Sequence, residues 1–115
     1  MKIKHIQKKY PKIMESFEKW YMKQSNIYLD KKDFYNCDLL ELYDKITEYF
    51  DKRNIFISEN VDSLIYWVTF SIRYLNNSGK NEYYSDSRKK YVNRDRKSVL
   101  TRGLKKLFEI GETIK

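Results

Sequence analysis

The sequence predicts an α+β fold of order ααβββα, a small three-stranded antiparallel sheet with helices packed on one face. Apolar residues recur at three- and four-residue spacing over residues 3–21, 39–50 and 99–114, the mark of amphipathic helices. Between the second and third of these stretches the pattern turns to aromatic and β-branched residues, which favour strands. At 115 residues the chain is expected to form one domain spanning 1–115.

Ile3, Ile6, Tyr10, Ile13, Met14, Phe17, Trp20 and Tyr21 form the first stripe, with Lys8, Lys12, Lys19 and Lys23 opposite. Pro11 suits a first helical position and disfavours helix at the residue before it. A short helical turn is therefore expected before Tyr10, and the main helix over 11–24. Residues 25–36 read as a loop. A second helix is expected over 38–52, where Asp38 and Glu41 have the spacing of a capping box. Its apolar face is Leu39, Leu42, Tyr43, Ile46, Tyr49 and Phe50, and Glu41, Asp44, Glu48 and Asp51 fall on the other side. Asn54 suits a left-handed stop.

A short strand is expected over 55–57, followed by a polar turn over 58–62. The strongest strand signal is 64–75, with Tyr66, Val68, Phe70, Ile72 and Tyr74 on one side and Ile65, Trp67, Thr69, Ser71 and Arg73 on the other. Residues 76–80, Asn-Asn-Ser-Gly-Lys, are turn chemistry. A polar third strand between 82 and 92 fits a sheet edge. The last helix, over 95–113, would bury Val99, Leu100, Gly103, Leu104, Leu107, Phe108, Ile110 and Ile114. Gly103 on that face predicts close contact with the sheet.

Composition excludes several functions. No apolar run approaches the roughly 20 residues that span a bilayer, so no membrane partner is expected. Residues 1–9 are basic but lack the apolar core of a signal peptide. The single Cys37 cannot staple the fold, which suits a cytoplasmic domain. One His and one Cys cannot make a zinc cluster. No phosphate-binding loop, nucleophile elbow or H-E-x-x-H pair is present. No catalytic residue, metal or cofactor is expected, and His5, the only histidine, is a poor base near the chain end.

Charge is where the sequence speaks most clearly. The net charge is +8, divided as +5 over residues 1–25, −3 over 26–60, zero over 61–85 and +6 over 86–115. Two basic ends around an acidic middle imply a polyanionic partner or pairing between segments. From Arg88 to Lys106 there are nine basic residues and one acid, Asp95, with Tyr83, Tyr84 and Tyr91 just before or within the run. Cations interleaved with aromatic rings suit phosphates and stacked bases. Arg94, Arg96 and Lys97 stand at the start of the last helix, where the macrodipole is already positive. A phosphate seated on the free N–H groups would account for them. Asp95 capping the helix, with the cations simply pointing into water, accounts for them more cheaply. Arg102 completes the expected phosphate contacts, and Lys89, Lys90 and Lys105 add long-range attraction. Lys105 and Lys106 fall opposite Val99, Leu104 and Leu107, where a solvated face also explains them.

The pattern Leu42-Tyr43, Phe50-Asp51, Ile55-Phe56-Ile57, Arg94, and Gly103-Leu104 through Leu107-Phe108-Glu109-Ile110 to Glu112 resembles a group of small proteins. These are largely uncharacterised proteins of phages and mobile elements, with a short antiparallel sheet and a closing C-terminal helix. The likeness covers residues 38–114. Residues 94–97 depart from it, since acidic or Ala-rich helix starts are usual there. The resemblance implies a fold and a mobile-element setting, and it carries no catalytic residues.

The expected function is a non-enzymatic phage or mobile-element accessory protein that binds nucleic acid or a nucleoprotein complex through a basic C-terminal face. The alternative is an anti-CRISPR-like inhibitor that grips a host protein of a defence complex. Pairing with a second copy of the chain through the polar edge strand or exposed aromatics is a further reading.

Overall fold

The computed structural model describes residues 1–25, 30–62, 67–85 and 96–114. Helices α1 (Ile3–Lys9), α2 (Pro11–Ser25) and α3 (Lys31–Asn36) come first. A 3₁₀ turn, Leu39–Leu42, then leads into α4 (Tyr43–Asp51). Strands β1 (Ile55–Asp62), β2 (Trp67–Leu75) and β3 (Asn81–Ser85) follow, and α5 (Arg96–Thr113) closes the described fold. The class is α+β, with one antiparallel sheet in the order β1-β2-β3.

Helix α5 packs on β1 and β2 along the face that carries Ile55, Phe70 and Ile72, all buried. Gly103 permits that approach: a Cβ there would lie 2.7 Å from Ile57 Cδ1 and 3.2 Å from Phe70 Cγ. Helices α1 to α4 and the 3₁₀ turn build the rest of one continuous core around aromatic rings. Phe17 meets Tyr49 at 5.3 Å and Phe108 at 5.8 Å, both edge-on, and Phe50 meets Phe108 edge-on at 5.1 Å. Such pairs add directional packing to plain area burial.

Two elements differ from the sequence reading. Within the expected loop 25–36, residues 31–36 form α3, because Asp30 accepts from Lys32 N at 3.5 Å and Phe34 drops fully into the core. The expected turn 58–62 is strand. It continues β1 with Ser58 opposite Ser71, Glu59 opposite Phe70 and Asn60 opposite Thr69. Polar residues suit it because Ser58 and Asn60 lie on the face away from α5, where both are exposed. The second helix begins at the expected Asp38, whose carboxylate accepts from Leu40 N at 3.0 Å, but its first turn is 3₁₀. Asn54 takes the left-handed conformation, φ 62°. Residues 64–66 of the expected second strand and 86–92 of the third lie outside the described residues.

The start of the chain is tied down: Ile3 N donates to Cys37 O at 3.0 Å and Leu39 N to Met1 O at 2.8 Å. Helix α2 has no Ser, Thr, Asp or Asn before Pro11 to cap it. Glu112, at the far end of α5, does so instead, accepting from Ile13 N at 2.8 Å and Lys12 N at 3.3 Å. A carboxylate there satisfies two orphan donors and meets the positive end of the helix dipole.

Candidate nucleic-acid interface

The expected basic run divides in the structure. Arg88, Lys89, Lys90, Tyr91, Arg94 and Asp95 lie outside the described residues, while Arg96, Lys97, Arg102 and Lys105 stand on α5. Arg96 opens the helix and makes a two-pronged ion pair with Glu59 of β1, Nε to Oε1 at 2.6 Å and Nη2 to Oε2 at 2.9 Å. The hydrogen bond to Glu59, then its charge, raises the Arg96 pKa. The carboxylate of Glu59 thus supplies the negative charge that the helix start was expected to take from a phosphate. Lys97 is exposed and Arg102 half-buried.

Lys105 and Lys106 leave α5 on its two flanks and are half-buried rather than standing on a free solvated face. Toward the sheet, the Lys106 ammonium sits 4.4 Å from the centre of the Tyr84 ring and 3.3 Å from Glu109. Tyr84 in turn stacks on Phe70 at 5.9 Å. On the other flank the Lys105 side chain comes within hydrogen-bonding reach of Lys9, the last residue of α1. That contact first, the Lys9 charge second and slight burial third lower the Lys105 pKa below the ordinary lysine value. Lys8, Lys9 and Lys12, around the junction of α1 and α2, are all exposed. The two basic ends of the sequence therefore meet at one place. Sequence reading missed Lys9 because only the fold, not spacing, brings residue 9 to residue 105.

The remaining candidates are structural. His5 accepts from Lys2 N at 3.1 Å and so caps α1. The Cys37 thiol donates to Asp33 O at 3.3 Å, and burial, ahead of the Glu41 and Asp33 charges, pushes its pKa up, away from thiolate character. In the acidic stripe, Glu48 pairs with Lys45 at 3.5 Å and Lys52 at 3.9 Å. A cleft of about 540 Å³ between α2 and α3 holds lysines and glutamates together. Its Glu15 is paired with Lys19 at 3.2 Å, and Glu18 accepts from Tyr35 Oη at 2.5 Å. Among the described residues no cluster of three or more His, Cys, Asp or Glu could hold a metal. No described helix is long and apolar enough to cross a membrane.

The sheet face away from α5 is also distinctive. Cross-strand register places Phe56, Arg73 and Tyr83 in one row, with Ser71 and Ser85 paired in the adjoining row. Arg73 is exposed and lies over the Phe56 ring at 5.5 Å, and Tyr83 is 68% exposed. No protein-family model, curated protein or solved structure matches the chain.

Proposed function

We propose that this chain is a non-enzymatic accessory protein, of the phage and mobile-element kind its core pattern resembles, that binds nucleic acid through a basic surface shared by α1 and α5. The observation that carries the reading is Lys9 against Lys105. Two ammonium groups held side by side repel each other, and the Lys105 pKa is lowered first by its side-chain contact with Lys9 and then by the Lys9 charge. An anion seated between them turns the repulsion into two attractive contacts. Lys8 and Lys12, exposed around the junction of α1 and α2, extend the positive surface, which suits a polyanion better than a single phosphate. Helix α5 carries no Asn or Gln, so the surface is equipped to follow a phosphate backbone rather than to read base edges in a groove.

The test is fluorescence anisotropy with short single- and double-stranded DNA and RNA at about 50 and 200 mM salt. Four phosphate contacts would weaken binding on the order of a hundredfold across that range. Lys9→Gln/Lys105→Gln should remove most of the salt-dependent affinity. Absence of binding to all four ligands would reject the reading and leave the anti-CRISPR-like inhibitor, with a protein as its target.

A further inference from the structure

We infer that the sheet face opposite α5 is a second site, one that takes unpaired bases of single-stranded nucleic acid. It shares a ligand class with the basic surface but none of its residues. Phe56, Arg73 and Tyr83 cross the three strands in register, ring, guanidinium and ring, over roughly 10 Å at the usual strand spacing. Aromatic rings and guanidinium planes are the groups on which splayed bases stack. Tyr83, at 68% exposure, is the most exposed of the large hydrophobic side chains among the described residues, and it stands beside an exposed cation.

The same end of the face has a cavity of about 290 Å³ lined by Asn54, Phe56, Arg73, Tyr74, Leu75 and Asn81. Its chemistry is that of a base pocket: a ring and a guanidinium for the flat face of the base, and two primary amides, each donor and acceptor, for its edge. In the neighbouring row the exposed Ser58 and Ser85 offer hydroxyls to sugar and phosphate, while Ser71 between them is buried and accepts from Asn60 Nδ2 at 3.4 Å.

Charge selects the occupant. Around the Phe56-Arg73-Tyr83 row Glu59 and Glu82 alternate onto the other side, and the acidic residue that shares this side by register, Asp62, stands at the far end of β1. A second copy would bring another chain of net charge +8 against Arg73. Arg73 between the two rings and the exposed Ser58 and Ser85 beside them also interrupt the apolar surface that a hydrophobic partner would need. A polyanion with flat, unpaired bases fits on both counts.

The experiment compares a thymine oligonucleotide of about ten residues with an abasic strand of equal length and charge. The wild-type protein should prefer the base-bearing strand about tenfold or more. Tyr83→Ser and Arg73→Gln, both at exposed positions and checked for an unchanged circular dichroism spectrum, should each reduce that preference several-fold. Lys9→Gln/Lys105→Gln should weaken both strands alike and leave the ratio intact. Equal, salt-sensitive affinity for the two strands would overturn the inference while leaving the basic surface standing. Base preference that survives both sheet variants would also overturn it, as would a concentration-dependent dimer lost in Tyr83→Ser. If the base-bearing strand binds and the lysine pair proves irrelevant, the sheet site stands and the basic-surface reading falls. Failure to bind either strand would reject both.

Discussion

At the scale of single residues, a partner's identity changes what a charge can do. Arg96 has the position of a phosphate ligand, yet Glu59 holds both of its donor prongs. If the basic surface binds nucleic acid, Arg96 is therefore a reserve rather than a contact. Glu59→Gln should release it and strengthen binding several-fold at low salt, whereas Arg96→Ala should change affinity little; anisotropy titrations of the two variants check this. The sequence could not show it, because Glu59 fell in a segment that reads as a polar turn. Tyr35 is the residue where pH should tell. Burial first, then its hydrogen bond to Glu18 and the nearby Glu18 and Glu15 charges, push its pKa up to about 12 from 10.0. A phenol whose folded pKa is raised contributes stability that is fully present below pH 10 and is lost as pH climbs through 12. Tyr35→Phe should accordingly flatten the fall in stability over that window, measured by urea unfolding at a series of pH values against wild type.

At the scale of elements, periodicity revealed whatever was long and amphipathic, and missed what was short or held by distant partners. The α2 and α5 stripes and the inward side of β2 could be read from spacing, since each buries a regular set of apolar residues, and Asn54 from its residue type, which tolerates the left-handed conformation. Helix α3 could not: six residues with one buried ring, Phe34, carry no period, and packing rather than propensity stabilises so short a helix. Nor could the cap of α2, because Glu112 lies about a hundred residues from the donors it satisfies. The two glycines of α5 separate packing from propensity. At Gly103 an added methyl meets the tip of Ile57, which can turn aside, and the buried Phe70 ring at 3.2 Å, which must give by a few tenths of an ångström. Against this stands a gain of about 1 kcal/mol for replacing Gly by Ala in a helix. At Gly111 it meets Phe50 Cε1 at 2.8 Å and the Ile13 branch at 2.9 Å, and Phe50 is held by Phe108 and Tyr49. Gly111→Ala should cost about 1–3 kcal/mol and Gly103→Ala close to nothing. Urea unfolding of both variants decides it, and a reversed order would mean that α5 shifts on α2 and α4 more readily than on the sheet.

At the scale of the whole molecule, the fold gathers charge that the sequence keeps apart. The acidic middle spends much of itself internally, Glu48 on Lys45 and Lys52, and Glu59 on Arg96. It does not reach the junction of α1 and α5, where Lys9 faces Lys105. Such an arrangement costs the free protein and rewards the bound one, so stability and affinity should respond to the same change with opposite signs. Lys9→Gln removes one of the two opposed charges. Without ligand it should raise stability by about 0.2–1 kcal/mol, the range for exposed charge pairs, toward the low end because Lys105 is mostly solvated. A lysine whose folded pKa is depressed also makes stability rise as pH climbs from that pKa toward the unfolded value, and the variant should lose this rise. With nucleic acid present the order reverses, because wild type gains stability by mass action, about 2.7 kcal/mol at a ligand concentration a hundred times Kd, and the variant gains less. Thermal unfolding of both proteins, with and without a saturating oligonucleotide, reads the reversal in one set of four curves, and repeating the ligand-free pair over a series of pH values reads the rise. A charge pair kept for binding makes the curves cross. If Lys9→Gln is less stable than wild type in both conditions, Lys9 belongs to the packing of α1 and the opposed charges carry no ligand.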